Sequence, residues 1–301
     1  MTRSRRIAIL ADRGFVPAGR LRFPFARLLT ATIVRDALSE DGADNDITGI
    51  ATVLSERRAR CSVVAREAGV IAGIALAREA FRQTDPRAAV RNTVRDGQRV
   101  EAGSPVLFVT GHARGLLAAE RVALNFMQRL SGVASLTHQF VDAVSGTAAK
   151  ILDTRKTTPG WRRLEKFAVR AGGGMNHRMD LGAAVLIKDN HLVALDGDIG
   201  MAVSRARNLA PPRTPIEVEC ERMDQVRAAL EAGAEILMLD NMSIAELSEA
   251  VALVDGRAVT EASGGVTLET VREIAETGVD WISVGALTHS ARALDLALDF
   301  S

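Results

Sequence analysis

The chain has 301 residues, of which 47% are hydrophobic, and this is enough to bury a large core in one or two domains. With 38 basic and 37 acidic residues its net charge is +1, which gives no basis for a nucleic-acid or membrane-surface partner. No apolar run reaches the roughly 18 residues that a membrane-spanning helix needs. Two distant cysteines, Cys61 and Cys220, without a secretory signal favour free thiols in a reducing compartment, and we expect a cytoplasmic protein.

The beginning of the chain is rich in arginine. Its first thirty residues contain seven arginines and a single acid, Asp12. An organelle transit sequence is one interpretation, but the segment lacks the serine richness that such sequences have. We therefore predict a flexible Arg-rich leader over residues 1–23.

The next part of the chain, residues 24–146, mixes helix and strand signals. The apolar spacing predicts a helix over 25–38, and the segment 96–113 has short apolar runs separated by glycines, which predicts strands joined by tight turns. A long helical pattern follows over 113–144. Ser131 and Gly132 predict an interruption in it.

From residue 149 onwards, short apolar runs alternate with amphipathic stretches. This alternation is typical of parallel strands joined by helical crossovers, and about six units favour a closed or nearly closed βα barrel. No GxGxxG follows the first strand, which removes the usual argument for a dinucleotide-binding fold. Ser243 and Glu246 predict a capping box, and Gly233 and Gly278 predict helix ends. The predicted strands are 150–154, 183–187, 216–220, 236–239, 258–261 and 282–284.

Charged, polar or small residues stand at or just after the end of every predicted strand of this region. The carboxyl ends of barrel strands meet at one mouth, where active sites lie. We therefore expect six strands to bring their residues to one place. They are Arg155 and Lys156, Lys188, Glu217 and Glu219, Asp240, Ser263 and Gly264, and Gly285.

The residue types predict a polyanionic substrate. Arginine forks match carboxylates, whereas lysine is a point charge that suits phosphate, and only four of the 38 basic residues are lysines. Glu219 and Asp240 are carboxylates in this cationic setting. They could hold a divalent metal such as Mg²⁺, bind sugar hydroxyls, or simply pair with the cations.

Glycine-rich turns follow the last two predicted strands, in "EASGGVTLETV" and "SVGALTHS". Exposed backbone N–H groups at such strand-to-helix turns bind phosphate, and a pair of them is a recurring barrel arrangement. Another glycine run, 172–174, leads into Asn176, His177 and Arg178. It predicts a tight turn that brings His177 and Arg178 to the mouth.

Seven motifs in this order resemble the quinolinate phosphoribosyltransferase family: "ILDTRKTTPGWR", "AVRAGGGMNHR", "LIKDNH", "IEVECE", "ILMLDN", "EASGGVTLETV" and "ISVGALTHS". The resemblance extends from about residue 30 to the end. It implies an α/β fold with an N-terminal α/β sandwich domain over 24–125, joined by residues 291–301, and an incomplete TIM-like βα barrel over 126–290. It also implies a homodimer with shared active sites, and leaves open whether dimers assemble into hexamers.

The resemblance assigns roles to individual residues. Those matched to the carboxylates of quinolinate are Arg155, His177, Arg178 and Lys188, with Arg121 supplied by the partner subunit. The residues matched to the ribosyl pyrophosphate and its Mg²⁺ are Lys156, Glu219 and Asp240, the two acids acting directly or through water or substrate. Those matched to the phosphate end are Ser263, Gly264, Gly285 and His289. The choice of Glu219 over Glu217 rests on spacing, since alternation puts both on one face of the strand.

The implied reaction joins quinolinate to phosphoribosyl pyrophosphate and yields nicotinate mononucleotide, pyrophosphate and CO₂. One alternative is a phosphoribosyltransferase of the same fold that acts on another heteroaromatic acid. A second is an anion-binding sensor on the same barrel, in which Glu219 and Asp240 would be dispensable.

Overall fold

The computed structural model describes residues 21–301, so all but the last three residues of the predicted leader lie outside the described residues. The described chain forms two compact units. One contains Gln139–Arg162 and Gly174–His289, and we call it the barrel unit. The other, the N-terminal unit, contains the described residues up to His138, together with Arg163–Gly173 and Ser290–Ser301.

The N-terminal unit is built on an antiparallel four-stranded sheet. Its elements are α1 (Arg27–Glu40), α2 (Ile47–Thr52), β1 (Arg58–Ala65), β2 (Gly69–Val70), α3 (Ile74–Thr84), β3 (Ala89–Asn92), β4 (Arg99–Val100), β5 (Pro105–His112) and most of α4 (Ala113–Ala143). In the sheet β1 lies between β5 and the C-terminal strand β12 (Leu296–Phe300), and β3 pairs with β5. The alternating burial of β1 fits a strand with one face against a core.

Helix α4 is continuous, so the predicted interruption at Ser131 and Gly132 is wrong. Ser131 is fully buried, where its hydroxyl accepts from the Ala72 N–H at 2.9 Å and donates to the Ala72 carbonyl at 3.2 Å. A Cβ on Gly132 would lie 2.0 Å from the carbonyl oxygen of Arg292. Both residues thus serve close packing of the helix, and neither breaks it.

The barrel unit has six parallel strands in the order β6–β11–β10–β9–β8–β7. They are β6 (Lys150–Leu152), β7 (Val185–Ile187), β8 (Ile216–Cys220), β9 (Ile236–Asp240), β10 (Val259–Ser263) and β11 (Trp281–Ser283). The helices between and after them are α6 (Asp189–Val193), α7 (Ile199–Leu209), α8 (Met223–Glu231), α9 (Ile244–Val254), α10 (Val271–Glu276) and α11 (Ala286–His289), while α5 (Arg162–Ala171) is counted almost wholly with the N-terminal unit. This is the predicted α/β fold with an incomplete TIM-like barrel.

Local sequence signals account for the barrel helices. Ser243 Oγ accepts from the Glu246 N–H at 3.3 Å, and the Glu246 carboxylate accepts from the Ser243 N–H at 2.8 Å, which confirms the capping box of α9. Gly233 and Gly278 have positive φ angles of 81° and 90°, so they end α8 and α10 as predicted.

Buried apolar side chains from several strands form the core of the barrel unit. The cluster contains Leu152, Met175, Ala184, Ile236, Val259 and Trp281, none of which is more than 5% exposed. Met175 also bridges to Leu152 of β6, because its N–H donates to the Ile151 carbonyl at 2.8 Å. The glycine-rich segment is therefore held along the outer edge of β6. Among the described residues no helix is long and apolar enough to cross a membrane.

Candidate active site

A cavity of about 340 Å³ lies at the carboxyl ends of the parallel strands in the barrel unit. It brings together eight of the predicted site residues, and every one of the six strands contributes by its last residues or by those directly after it. The lining residues are Thr154, Arg155, Lys156, His177, Arg178, Leu186, Lys188, Glu219, Met238, Asp240, Ser263 and Ser283.

Lys188 enters the cavity from the end of β7. Its backbone N–H donates to the Nδ1 of His191 at 3.0 Å, a bond that begins helix α6 directly after the strand. The ammonium group of Lys188 pairs with the Glu219 carboxylate, whose side chain is 10% exposed. The Glu219 carboxylate is largely buried, whereas the Lys188 side chain is about half exposed. An incoming anion can therefore reach the Lys188 ammonium group from solvent and replace Glu219 as its partner.

Asp240 stands at the end of β9 beside a glycine turn. Its Oδ2 accepts from the side-chain amide of Asn241 at 2.7 Å. Gly264 has a φ of +91°, and a Cβ there would lie 2.2 Å from the Asn241 Oδ1. The turn after β10 therefore approaches Asp240 and Asn241 as closely as it does only because residue 264 is glycine.

Arg155 and Arg178 both line the cavity, close enough for their charges to interact. Burial and the charge of Arg155 both lower the pKa of Arg178, and Glu217 and Asp180 only partly oppose this. Arg178 is held by its Nη1, which donates to the Ala184 carbonyl at 3.0 Å. The buried Nε of Arg155 has no hydrogen-bond partner among the described residues. Adjacent like charges with an unused donor are the features of an anion site.

His177 is buried at the bottom of the cavity. Asp153, also fully buried, accepts from the His177 N–H at 2.9 Å and from the Asn176 side-chain amide at 2.6 Å. The ring Nε2 lies 3.3 Å from Glu217 and 3.4 Å from Glu261. Burial lowers the pKa of His177, but the charges of Glu261 and Glu217 outweigh it and raise the pKa to about 10. Burial raises the pKa of Glu217, and the neighbouring Glu261 adds to that rise.

A second turn, after β11, packs against Lys156. A Cβ on Gly285 would lie 3.1 Å from the His289 Nε2 and 3.3 Å from the Cδ of Lys156. The hydroxyl of Thr288 donates to the Lys156 carbonyl at 2.7 Å. The predicted phosphate residues Gly285 and His289 thus adjoin the lysine that was matched to the ribosyl pyrophosphate.

Arg121 is the one predicted site residue outside the barrel unit. It is exposed on α4, in the part of that helix that belongs to the N-terminal unit. Its assignment to the partner subunit's site stays a prediction, as do the individual roles of the other residues.

Sequence reasoning missed several members of the site. Thr154, Leu186, Met238 and Ser283 line the cavity, and their positions at strand ends were the available signal. Glu261 was also missed, although a carboxylate inside a predicted barrel strand is a signal in itself. Burial raises the pKa of Cys220, next to Glu219, to about 12, which disfavours the thiolate that a nucleophile needs.

Comparison with known families agrees with this geometry. The family "Quinolinate phosphoribosyl transferase, C-terminal domain" matches residues 133–299, and the corresponding N-terminal domain family matches residues 46–131. The chain belongs to the quinolinate phosphoribosyltransferase family. The resemblance drawn from the seven motifs is thereby confirmed.

Relatives match this chain over most of their own length. A nicotinate-nucleotide pyrophosphorylase [carboxylating] of Mycobacterium leprae is 47% identical over 274 residues, which are 88% of this chain and 95% of that one. A probable nicotinate-nucleotide pyrophosphorylase [carboxylating] of Bacillus subtilis is 42% identical over 260 residues, 86% of this chain and 89% of that one. The solved nicotinate-nucleotide pyrophosphorylase of Francisella tularensis aligns with a TM-score of 0.86 at 38% identity, covering 92% and 98% of the two chains.

Proposed function

We propose that the protein transfers the phosphoribosyl group of phosphoribosyl pyrophosphate to quinolinate and releases CO₂ and pyrophosphate. The product is nicotinate mononucleotide, and the reaction belongs to de novo NAD biosynthesis. The observation that carries the proposal is that one cavity is lined by three cations and two acids: Arg155, Arg178, Lys188, Glu219 and Asp240. This combination fits a dianionic ring beside a charged sugar phosphate.

Binding of quinolinate relies on the cationic side of the cavity. Its two carboxylates replace solvent at Arg155 and Arg178 and draw Lys188 from its pair with Glu219. The ring nitrogen then faces the anomeric carbon of the ribose, so that the residues act mainly by positioning. Once the substrate has drawn Lys188 over, the three cations are already in place and need no further reorganisation at the moment of reaction.

Bond exchange at the anomeric carbon needs no protein nucleophile. The ring nitrogen forms its bond as pyrophosphate leaves, and positive charge develops on the ribose in between. Glu219 and Asp240 lie where they can stabilise that charge or hold the ribose hydroxyls. The breaking C–C bond then leaves its electron pair on the ring carbon, where the adjacent quaternised nitrogen stabilises it; CO₂ leaves, and that carbon takes a proton from solvent.

Mg²⁺ is the cofactor that we infer. Glu219 and Asp240 supply two carboxylates, and Mg²⁺ is usually bound by one or two carboxylates together with substrate phosphate oxygens and water. When bound, the ion neutralises charge on the pyrophosphate. We expect chelation of divalent cations to abolish turnover and Mg²⁺ to restore it. Calorimetric titration provides a second readout, in which Asp240→Asn weakens Mg²⁺-dependent binding of phosphoribosyl pyrophosphate without chemistry taking place.

We further infer that the protein acts as a homodimer. The N-terminal unit exposes large apolar side chains on and directly after its first two helices, which is unusual for a surface that stays in water. They are Leu28, Leu29, Ile47, Ile50 and Leu54, each at least 42% exposed. A second copy of the chain is the partner that the family implies. Sedimentation equilibrium measures the mass directly, and a monomer at micromolar concentration would contradict this assembly.

The cytoplasm is the compartment we propose. Cys61 and Cys220 are both buried free thiols among the described residues, as expected in a reducing environment. Plant relatives carry chloroplastic or mitochondrial names, for example the mitochondrial enzyme of Nicotiana glauca. Fractionation of the native cells with detection of the protein tests the proposal.

One assay tests the main function. Carboxyl-labelled quinolinate should release labelled CO₂ only when phosphoribosyl pyrophosphate is present, with one pyrophosphate formed for each CO₂. Pyrophosphate release with another heteroaromatic acid but not with quinolinate would favour the alternative substrate. Binding without turnover would favour the anion sensor.

A further inference from the structure

Two carboxylates face His177 from beneath the cavity. Glu217 on β8 and Glu261 on β10 are both fully buried, and His177 Nε2 lies 3.3 Å from the first and 3.4 Å from the second. The four carboxylate oxygens of these residues have no described hydrogen-bond partner, so His177 Nε2 meets them as an ion-pair contact. Buried carboxylate oxygens without a donor are costly, and the His177 ring is the group that faces both of them through its Nε2.

The opposite side of the His177 ring is engaged with the backbone. Its Nδ1 accepts from the N–H of Arg178 at 2.8 Å. The raised pKa of His177 favours a ring with protons on both nitrogens. The hydrogen bond from the Arg178 N–H instead requires Nδ1 to be without a proton, so the two observations disagree about Nδ1. The Nε2 proton is common to both states, because that nitrogen faces two acceptors.

We propose that Glu217 and Glu261 are positioning residues, which hold the His177 ring through its Nε2–H and thereby set the backbone of Arg178. The inference rests on the proposed function, since Arg178 is the residue whose guanidinium receives a substrate carboxylate. The contact between Nδ1 and the Arg178 N–H holds one side of the ring, and the Nε2 side needs its own anchor. Two acceptors on different strands define one ring orientation.

The surrounding contacts show how the orientation of the His177 ring affects the position of Arg178 in the site. The Arg178 guanidinium is anchored by only one described hydrogen bond, from Nη1 to the Ala184 carbonyl. Asp153 fixes the His177 N–H, and the ring fixes the Arg178 N–H. Residues of β8 and β10 and the residue that follows β6 therefore jointly determine where the guanidinium enters the cavity. Loss of the ring's anchor should displace Arg178 and spare the turns that bind phosphate.

The same three side chains could also ligate a metal ion, because their nearest ligand atoms lie within 4.8 Å of one another. Ligation by His177 would require a bare Nε2 and a proton on Nδ1. The Nδ1 that accepts from Arg178 argues against that state. Metal analysis of the purified protein therefore belongs to the test, and a stoichiometric ion lost on substitution of Glu261 would overturn the proposal.

The kinetic test compares Glu261→Met with Glu261→Gln. Glutamine keeps an acceptor oxygen at the same place, whereas methionine keeps the length and removes the acceptor. We expect Glu261→Met to raise the KM for quinolinate about tenfold, the value of a hydrogen bond to a charged group. The KM for phosphoribosyl pyrophosphate should stay within about twofold, and Glu261→Gln should resemble the wild type. Equal rises in both KM values, or a Gln variant as impaired as Met, would overturn the positioning role.

A spectroscopic test does not depend on activity. In protein labelled with ¹⁵N-histidine, one of the five histidines should show a slowly exchanging Nε2–H, assigned to His177 by its loss in His177→Gln. That signal should persist in Glu261→Gln and disappear in the double variant Glu217→Met, Glu261→Met. Its absence from the folded wild type refutes the inference. A wild type that shows the signal but no quinolinate-dependent CO₂ release refutes the proposed function instead.

Discussion

At the residue scale, the choice between lysine and arginine carries chemical meaning. The chain has four lysines, and two of them, Lys156 and Lys188, line the cavity. Arginine occupies the two positions where a planar fork can meet a carboxylate, Arg155 and Arg178. A lysine at position 188 gives the site a compact charge that can move between Glu219 and a substrate, which a planar guanidinium does less easily.

Arg155 provides the sharpest test at this scale. We expect Arg155→Ala to raise the KM for quinolinate and lower kcat/KM by roughly 100-fold, because a bidentate carboxylate contact is lost and Arg178 faces the dianion with less help. Arg155→Lys should recover only part of the loss. Arg222→Ala is the matched control, since among the described residues that arginine forms its ion pair with the exposed Asp224 on the surface. Unchanged steady-state kinetics in Arg155→Ala would remove the residue from substrate binding.

At the element scale, Gly132 and Gly264 lie where the backbone is too close to its neighbours to leave room for a side chain. Gly132 lets α4 pack against the backbone at Arg292, which a Cβ would meet at 2.0 Å. We expect Gly132→Ala to lower the free energy of unfolding by about 1–3 kcal/mol, since overpacking against backbone has no flexible group to absorb it. Gly200→Ala, in helix α7 with its nearest neighbour at 3.3 Å, is the control. Urea denaturation of both variants measures the difference, and equal midpoints would contradict the packing argument.

The turn after β10 permits a similar comparison at the site. Gly264 and Gly265 both have positive φ, +91° and +60°, so alanine strains the backbone at either position. Only at 264 would the Cβ also collide, 2.2 Å from Asn241 Oδ1. We expect Gly264→Ala to lower kcat/KM for phosphoribosyl pyrophosphate by about 100-fold, because Asp240 and Asn241 are displaced by it. Gly265→Ala should retain most activity. Similar kinetics for the two variants would show that the contact between residue 264 and Asn241 does not matter for binding of phosphoribosyl pyrophosphate.

At the scale of the whole molecule, Arg121 and Lys156 belong to different compact units of the chain. If the partner subunit supplies Arg121, two inactive variants should complement each other. Co-expressed Arg121→Ala and Lys156→Ala chains should show about a quarter of the wild-type activity, because half of the dimers are mixed and each has one intact site. Steady-state assays of the purified mixture measure it.

The control is a pair of variants within the same unit. Lys156→Ala mixed with Asp240→Asn should recover nothing, because every site of the mixed dimer then carries one of the two changes. Recovery in this pair, or none in the Arg121 mixture, would contradict a site shared between subunits.

Much of the barrel followed from local signals in the sequence. Strand Ile216–Cys220 has the predicted bounds, and helix Ile244–Val254 begins directly after the predicted capping residue Ser243, because an apolar run and a capping box are local signals. The strand predicted over 282–284 lies one residue earlier, at Trp281–Ser283, since the buried Trp281 joins the core. The residues after strand ends were likewise predictable, because parallel strands point their carboxyl ends the same way.

The sequence by itself determined the family, the order of strands and helices, and the chemical types that gather at the mouth. Tertiary structure alone decided how deep each side chain lies and which of them meet. Glu217 and Glu219 share one face of β8, yet one is buried against His177 and the other pairs with Lys188 at the cavity. Strand periodicity assigns a face, whereas depth and partners depend on segments far apart in the chain that meet only when the barrel is packed.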